Sequence, residues 1–181
     1  MNESGMAGGG AMQDLRRIIW IASFPKSGNT WMRSFLAHYF MPEANDLDIN
    51  SLRRFTTADV RQDFFDRAAG RRFVARDFDE WVVVRQKALK LIAASKPNHH
   101  FVKTHSRIAM VGPYPLIPPD VTAAAIYIMR NPFDIAPSYS RHLGCSIDEA
   151  VAHMANPKAL NFSKSRIFEV LGRWDDHVQS W

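Results

Sequence analysis

Cysteine is almost absent from this chain. Cys145 is the only one among 181 residues, so no disulfide can close within it. That fits a reducing compartment, and the expected location is the cytoplasm. Long apolar runs are missing too. None approaches the ~18 residues of a membrane-spanning helix, so no span is expected. Residues 1–15 are rich in glycine and lack a basic stretch followed by an apolar one. They read as a disordered tail rather than a secretory signal, with residues 16–181 as one domain. Metal-ligand clusters are scarce. His99, His100 and His105 lie close in sequence, but neighbouring strand residues face opposite ways and no cysteine or carboxylate group joins them. No metal is expected. The net charge of +5 favours anionic partners. Nucleic acid is not the expected one, because Asp59, Asp63, Asp66, Asp77, Asp79 and Glu80 are interleaved with the arginines between Arg53 and Arg85. Such mixing marks a solvated face.

What is present is a pattern of strands that end in polar, phosphate-seeking residues. Hydrophobic content of 46% is enough for a core. The periodicity predicts strand 17–23, helix 29–40, irregular or short helical pieces over 43–78, and helix 79–95. It continues with strand 100–103, a Pro-rich loop 105–120, strand 123–129, and helices 132–143, 147–155 and 165–181. Alternating strands and helices predict a three-layer α/β/α sandwich on a parallel sheet, with a P-loop-like nucleotide site beyond the carboxyl ends of the strands. Pro137 lies inside a predicted helix and should bend it near Ser138. Four prolines in the 105–120 loop argue against regular structure there, and the loop either rims a pocket or merely connects.

The richest segment is Ile-Ala-Ser-Phe-Pro-Lys-Ser-Gly-Asn-Thr-Trp, residues 21–31. A buried strand runs into a tight turn carrying Lys26 and Gly28, and an amphipathic helix follows. Backbone N–H groups converge at such a turn, the helix dipole adds positive potential, and glycine permits close approach. The loop reads as a phosphate or sulfate cradle. It is not the G-x-x-x-x-G-K-[ST] loop, because the lysine precedes the glycine and no Ser or Thr stands where magnesium would be held. A phosphate held there needs no metal. The plain alternative is a strand-to-helix turn with a solvated lysine.

Two further blocks follow in order. Phe-Val-Lys-Thr-His at 101–105 ends a short strand with Lys103 and His105. Residues 126–142 hold a second strand ending in Arg130, then a helix opening at Pro132 and carrying Ser138. Taken together, the three blocks resemble the sulfotransferases that use 3′-phosphoadenosine 5′-phosphosulfate (PAPS), of the cytosolic and bacterial type. A fourth block, Arg173 to Trp181, is similar to a later helix of that family. The resemblance covers residues 18–181. In the family a further strand and a Gly-rich closing segment follow. None lies in this sequence, so the resemblance implies a domain incomplete at its C-terminus, a weak catalyst with exposed apolar surface that favours self-association.

The resemblance also implies roles. His105 is the general base, and its ordinary pKa near 6.5 suits that task. Lys26 and Lys103 stabilise the transferring sulfonate and the bridging oxygen. Ser27, Gly28, Asn29 and Thr30 hold the 5′ phosphate, Trp31 stacks on adenine, and Arg130 and Ser138 contact the 3′ phosphate. The donor is PAPS, the product 3′-phosphoadenosine 5′-phosphate (PAP), and the acceptor a small molecule bearing a hydroxyl or amine. A catalytically silent PAP-binding protein and a small-molecule kinase of the P-loop type stay open as alternatives. The apolar positions Ile167, Leu171, Trp174, Val178 and Trp181 are expected to form one stripe on the last helix, in want of a partner.

Overall fold

A computed structural model describes residues 17–41, 52–162 and 167–181. The predicted N-terminal tail and part of the irregular 43–78 region lie outside the described residues. The first strand, β1 (Ile18–Ser23), leads into helix α1 (Asn29–Phe40), and short α2 (Leu52–Phe55) precedes the two-residue strand β2 (Thr57–Ala58). Helices α3 (Gln62–Ala69) and α4 (Phe78–Ala93) follow, then β3 (His100–Thr104). A small ladder of β4 (Met110–Val111) and β5 (Tyr114–Pro115) leads through a 3₁₀ turn, Pro119–Val121, to β6 (Thr122–Ile128). The chain then forms α5 (Pro132–Leu143), α6 (Ile147–Met154), a hairpin of β7 (Leu160–Phe162) and β8 (Phe168–Val170), and α7 (Trp174–Ser180).

The central sheet is parallel, in the order β2-β3-β1-β6. Strand alternation sorts β1 between two faces. Ile18 and Trp20 join the large cluster under α3 and α4, with Phe64, Phe65, Trp81, Leu89, Ile92 and Val102. Ile21 joins Leu36, Ala37, Leu52 and Phe55 on the side of α1 and α2. Helices thus cover both faces, the three-layer arrangement expected. A third cluster, around Phe24, Ile135, Tyr139 and Leu171, anchors α5 and α6. Among the described residues β6 is an edge strand, and Ala123, Ala124 and Ala125 on it are exposed.

A buried ion pair sits below the carboxyl end of β3. Arg85 of α4 donates to Asp59 Oδ2 at 2.7 Å and to the Leu116 carbonyl at 3.2 Å, and Thr104 Oγ1 donates to the same Asp59 oxygen at 2.8 Å. Both members of the pair are fully buried. The pair ties α4, the segment after β2 and the last residue of β3 into one unit.

Two expectations need correction. The predicted helix 165–181 is two elements. Residues 165 and 166 lie outside the described residues, Phe168–Val170 is a strand paired antiparallel with Leu160–Phe162, and helix begins only at Trp174. The break falls at Gly172, whose φ of +66° is left-handed and which lies so close to Arg107 that a Cβ would meet Nη1 at 2.8 Å. The apolar stripe is therefore not one helix face. Ile167 and Leu171 are already buried, and Trp181 stacks on Tyr127 with ring centroids 5.9 Å apart. Second, the Pro-rich loop does contain regular structure, the β4–β5 ladder. It packs on α4, where Gln86 donates to the Pro115 carbonyl at 2.8 Å. Proline is tolerated there because the ladder is two residues long and needs few donors. Helix α5, Pro132–Leu143, runs through Pro137 as one element.

Candidate active site

All the sequence-marked residues lie at or just beyond the carboxyl ends of β1, β3 and β6. An open cleft of about 800 Å³ is lined there by Lys26, Gly28, Asn29, Thr30, Trp31, Lys103, His105, Arg130 and Ser138. Ser27 alone of the predicted set does not line it. Its side chain is buried, and its hydroxyl has no hydrogen-bond partner among the described residues. No Asp or Glu lines the cleft among the described residues, whereas Lys26, Lys103 and Arg130 do. The site is positive by construction.

The cradle has a specific backbone. Lys26 is the one described non-glycine residue with positive φ, at 68°, and Gly28 follows at 105°. A side chain in that region costs about 1–3 kcal/mol, a strain typical of functional loops. The turn delivers the N-terminus of α1 to the cleft without a side-chain cap and without an acidic residue in the first turn. Helices α4 and α6 are built differently. Asp77 caps α4 and Ser146 caps α6, each followed by two acids. The free N–H groups of α1 are thus left for an anion. Arg130 reaches across and donates to the Lys26 carbonyl at 3.3 Å, joining the ends of β1 and β6.

One predicted side chain behaves differently from expectation. The Asn29 amide is turned inward, donating to the Ile21 carbonyl at 2.9 Å and to Ser23 Oγ at 3.2 Å. What Asn29 offers a phosphate is therefore its backbone. Trp31 is 71% exposed, so it does not belong to the core, and it stacks on Phe35 in parallel at 6.1 Å. An exposed indole at the cleft rim is a ready platform for a planar ring.

His105 is held from both sides. Its Nδ1 lies 2.7 Å from the Ser23 carbonyl, an oxygen that can only accept, so Nδ1 carries the proton and Nε2 is the free base. Its own carbonyl accepts from Nε2 of His177 at 2.9 Å, and His177 Nδ1 accepts from the Tyr127 hydroxyl at 2.9 Å. Burial, with the nearby Lys103 charge adding to it, pushes His105 well below the ordinary histidine value against the opposing pull of the Ser23 carbonyl. The imidazole is neutral at pH 7. His177 is fully buried and, chiefly through burial, pushed down to about 4. Burial likewise lifts the Tyr127 hydroxyl to about 12, so it stays a donor.

Lys103 enters the cleft beside His105, as the two-residue spacing on one strand face predicts. Behind it stands Glu169, 1% exposed, whose Oε1 lies 3.1 Å from Lys103 Nζ and accepts the His105 backbone N–H at 2.7 Å. Asn161 donates to Oε2 at 2.6 Å. Burial raises the Glu169 carboxyl, but the Lys103 charge and these hydrogen bonds outweigh it, and the group stays below the ordinary carboxylate value. The sequence reading assigned no role to Glu169, to Asn161 or to His177. A signal existed for the first: Glu169 is the lone charge in the apolar run Ile167 to Leu171. Beyond His105 itself, the Pro-rich loop contributes nothing to the cleft lining among the described residues.

Such an arrangement joins an anion cradle to a neutral base flanked by cations. It can hold a phosphorylated ligand at one end and take a proton at the other. Over residues 16–181 the sequence matches the family model of the sulfotransferase domain, and the chain belongs to that family.

Proposed function

We propose that this protein transfers a sulfuryl group from PAPS to a hydroxyl or amine of a small-molecule acceptor, with His105 as general base. The observation that carries the reading is the meeting of Nε2 of His105, Lys103 and the uncapped N-terminus of α1 in one cleft with no lining carboxylate among the described residues. The residues present fit such a donor: the uncapped α1 amides offer donors for a 5′ phosphate, and Arg130 with Ser138 suits a 3′ phosphate. The donor, when bound, supplies the sulfuryl group and a phosphate leaving group.

His105 Nε2 takes the proton of the acceptor as the acceptor oxygen or nitrogen bonds to sulfur and the bond from sulfur to the phosphate oxygen breaks. The Ser23 carbonyl keeps Nδ1 protonated throughout, which fixes the tautomer and favours the imidazolium that forms. Lys103 would stabilise charge on the sulfonate oxygens. Lys26 would stabilise the bridging oxygen, whose electron pair stays with the leaving phosphate. Fixed cations aimed at developing charge are commonly the largest part of such catalysis. Trp31 supports the adenine ring. The exposed aromatic row Trp31, Phe35, Tyr39 and Phe40 on α1 favours self-association.

The test is binding and turnover together. Calorimetry with PAP in the presence of a chelator should show binding. Incubation with PAPS and a panel of hydroxyl and amine acceptors should show transfer, and His105→Ala should lower kcat by about 10²–10⁴-fold with little change in PAP affinity. Binding that requires magnesium, together with ATP turnover, would replace this reading by a kinase.

A further inference from the structure

Lys103 and His105 are separate reacting groups, yet one side chain holds both. Glu169 lies on β8, outside the central sheet, and its carboxylate crosses to the end of β3. One oxygen, Oε1, takes the Lys103 ammonium at 3.1 Å and the His105 N–H at 2.7 Å. The other takes Asn161 Nδ2 at 2.6 Å, with Lys103 Nζ at 3.5 Å. The carboxylate is 1% exposed and Lys103 is 17% exposed on its side chain, so water does not compete for the inner oxygen.

We propose that Glu169 is a positioning residue for sulfuryl transfer, setting the Lys103 ammonium and the chain at His105 relative to each other. This rests on the transfer reading above.

Physical reasons point the same way. A lysine has four rotatable bonds and, unheld, samples many positions. A buried carboxylate at its tip removes that freedom. The charge-assisted bond to the His105 amide fixes the chain where β3 ends, just as the Ser23 carbonyl fixes the ring. Misplacement by about 1 Å is enough to cost around 10²-fold in rate. Asn161, which lines the cleft, completes the carboxylate and prevents it from turning away. A purely structural ion pair would have no reason to share its inner oxygen with the amide of a cleft residue.

The experiment compares Glu169→Gln, Glu169→Asp and Lys103→Met, alone and combined, in the full chain. Glu169→Gln is expected to lower kcat about 10–100-fold while PAP affinity, which does not involve a sulfonate, stays within about threefold. In the Lys103→Met background the same change is expected to cost a clearly smaller factor, because the ammonium it positions is gone and only the hold on the His105 amide is left to lose. The His105 amide is read independently of turnover, by its proton shift and hydrogen exchange. It should lose its downfield position and its protection in Glu169→Gln. Glu169→Asp, which keeps the charge but shortens the reach, should recover part of the rate; if Glu169→Gln does not fold, this variant carries the kinetic comparison. Equal losses in both lysine backgrounds, or a parallel loss of PAP affinity and kcat, would make Glu169 merely structural and overturn the proposal. So would an unchanged His105 amide. Wild-type protein that binds no PAP and transfers no sulfuryl group would overturn the transfer reading, and this proposal with it. Wild-type transfer with full activity in Glu169→Gln would overturn this proposal alone.

Discussion

The buried His177 makes acid sensitivity the sharpest test of how the site is held. Its Nε2 donates to the His105 carbonyl and its Nδ1 accepts from Tyr127. Both nitrogens are thus committed, and a second proton on Nδ1 would face a hydroxyl whose own proton already points at it. The folded value is about 4 against 6.5 for an ordinary histidine. The sign follows directly: above pH 6.5 neither state is protonated and His177 makes stability independent of pH. As pH falls below 6.5 the unfolded chain takes the proton first, and stability drops until the folded value is reached. At about 1.4 kcal/mol per pH unit, the loss by pH 4 comes to about 3 kcal/mol. Urea unfolding of wild type and His177→Gln at pH 7.5, 6, 5 and 4 isolates this contribution, because the other histidines are common to both. Glutamine can still donate to the His105 carbonyl but cannot titrate. Wild type should lose about 3 kcal/mol more than the variant between pH 7.5 and 4. Parallel profiles would mean that His177 does not stay neutral in the folded protein, and the tautomer argument for the Tyr127–His177–His105 chain would fail.

Other perturbations bear on different parts of the molecule. Arg130→Ala should weaken PAP by about 1.5–3 kcal/mol in calorimetry, and should weaken a ligand lacking the 3′ phosphate far less. Equal losses would make its bond to the Lys26 carbonyl its whole role. Arg85→Met leaves Asp59 buried without its partner and should destabilise the fold by about 3–5 kcal/mol in urea. Adding Asp59→Asn should recover part of that, and a single variant as stable as wild type would contradict the ion-pair account.

The parts of the fold that were legible in the sequence are those where pattern and environment agree. Strands β1, β3 and β6 are short apolar runs closed by polar residues, and α1 and α5 are bounded by Gly28 and Pro132 at their starts. The three motifs could be placed in one cleft because parallel topology puts all those strand ends on one edge. The last segment was misread for an instructive reason. Ile167, Leu171, Trp174, Val178 and Trp181 fit a helical period, but the same letters also contain a strand, and only the backbone at Gly172 decides between them. Residue type marks Asn29 as a ligand, while its Nδ2 is committed to the Ile21 carbonyl and Ser23 Oγ. Glu169 stands out in the sequence only as a lone charge in an apolar run, and its partners are not legible there. A contact between positions 66 residues apart leaves no local trace.

The distances along the chain also govern when the site can exist. His105 is gripped by Ser23, 82 residues upstream, and by His177, 72 residues downstream. Neither grip can form in a nascent hairpin or a single helix. Both require the parallel sheet to be paired, and such non-local pairing is the slow part of folding. The buried core makes the same demand, since Trp20 bonds to Thr122 and Trp81 stacks on Phe168. The base is therefore oriented only where the whole sheet is paired, and its geometry is a property of the complete fold rather than of any one element.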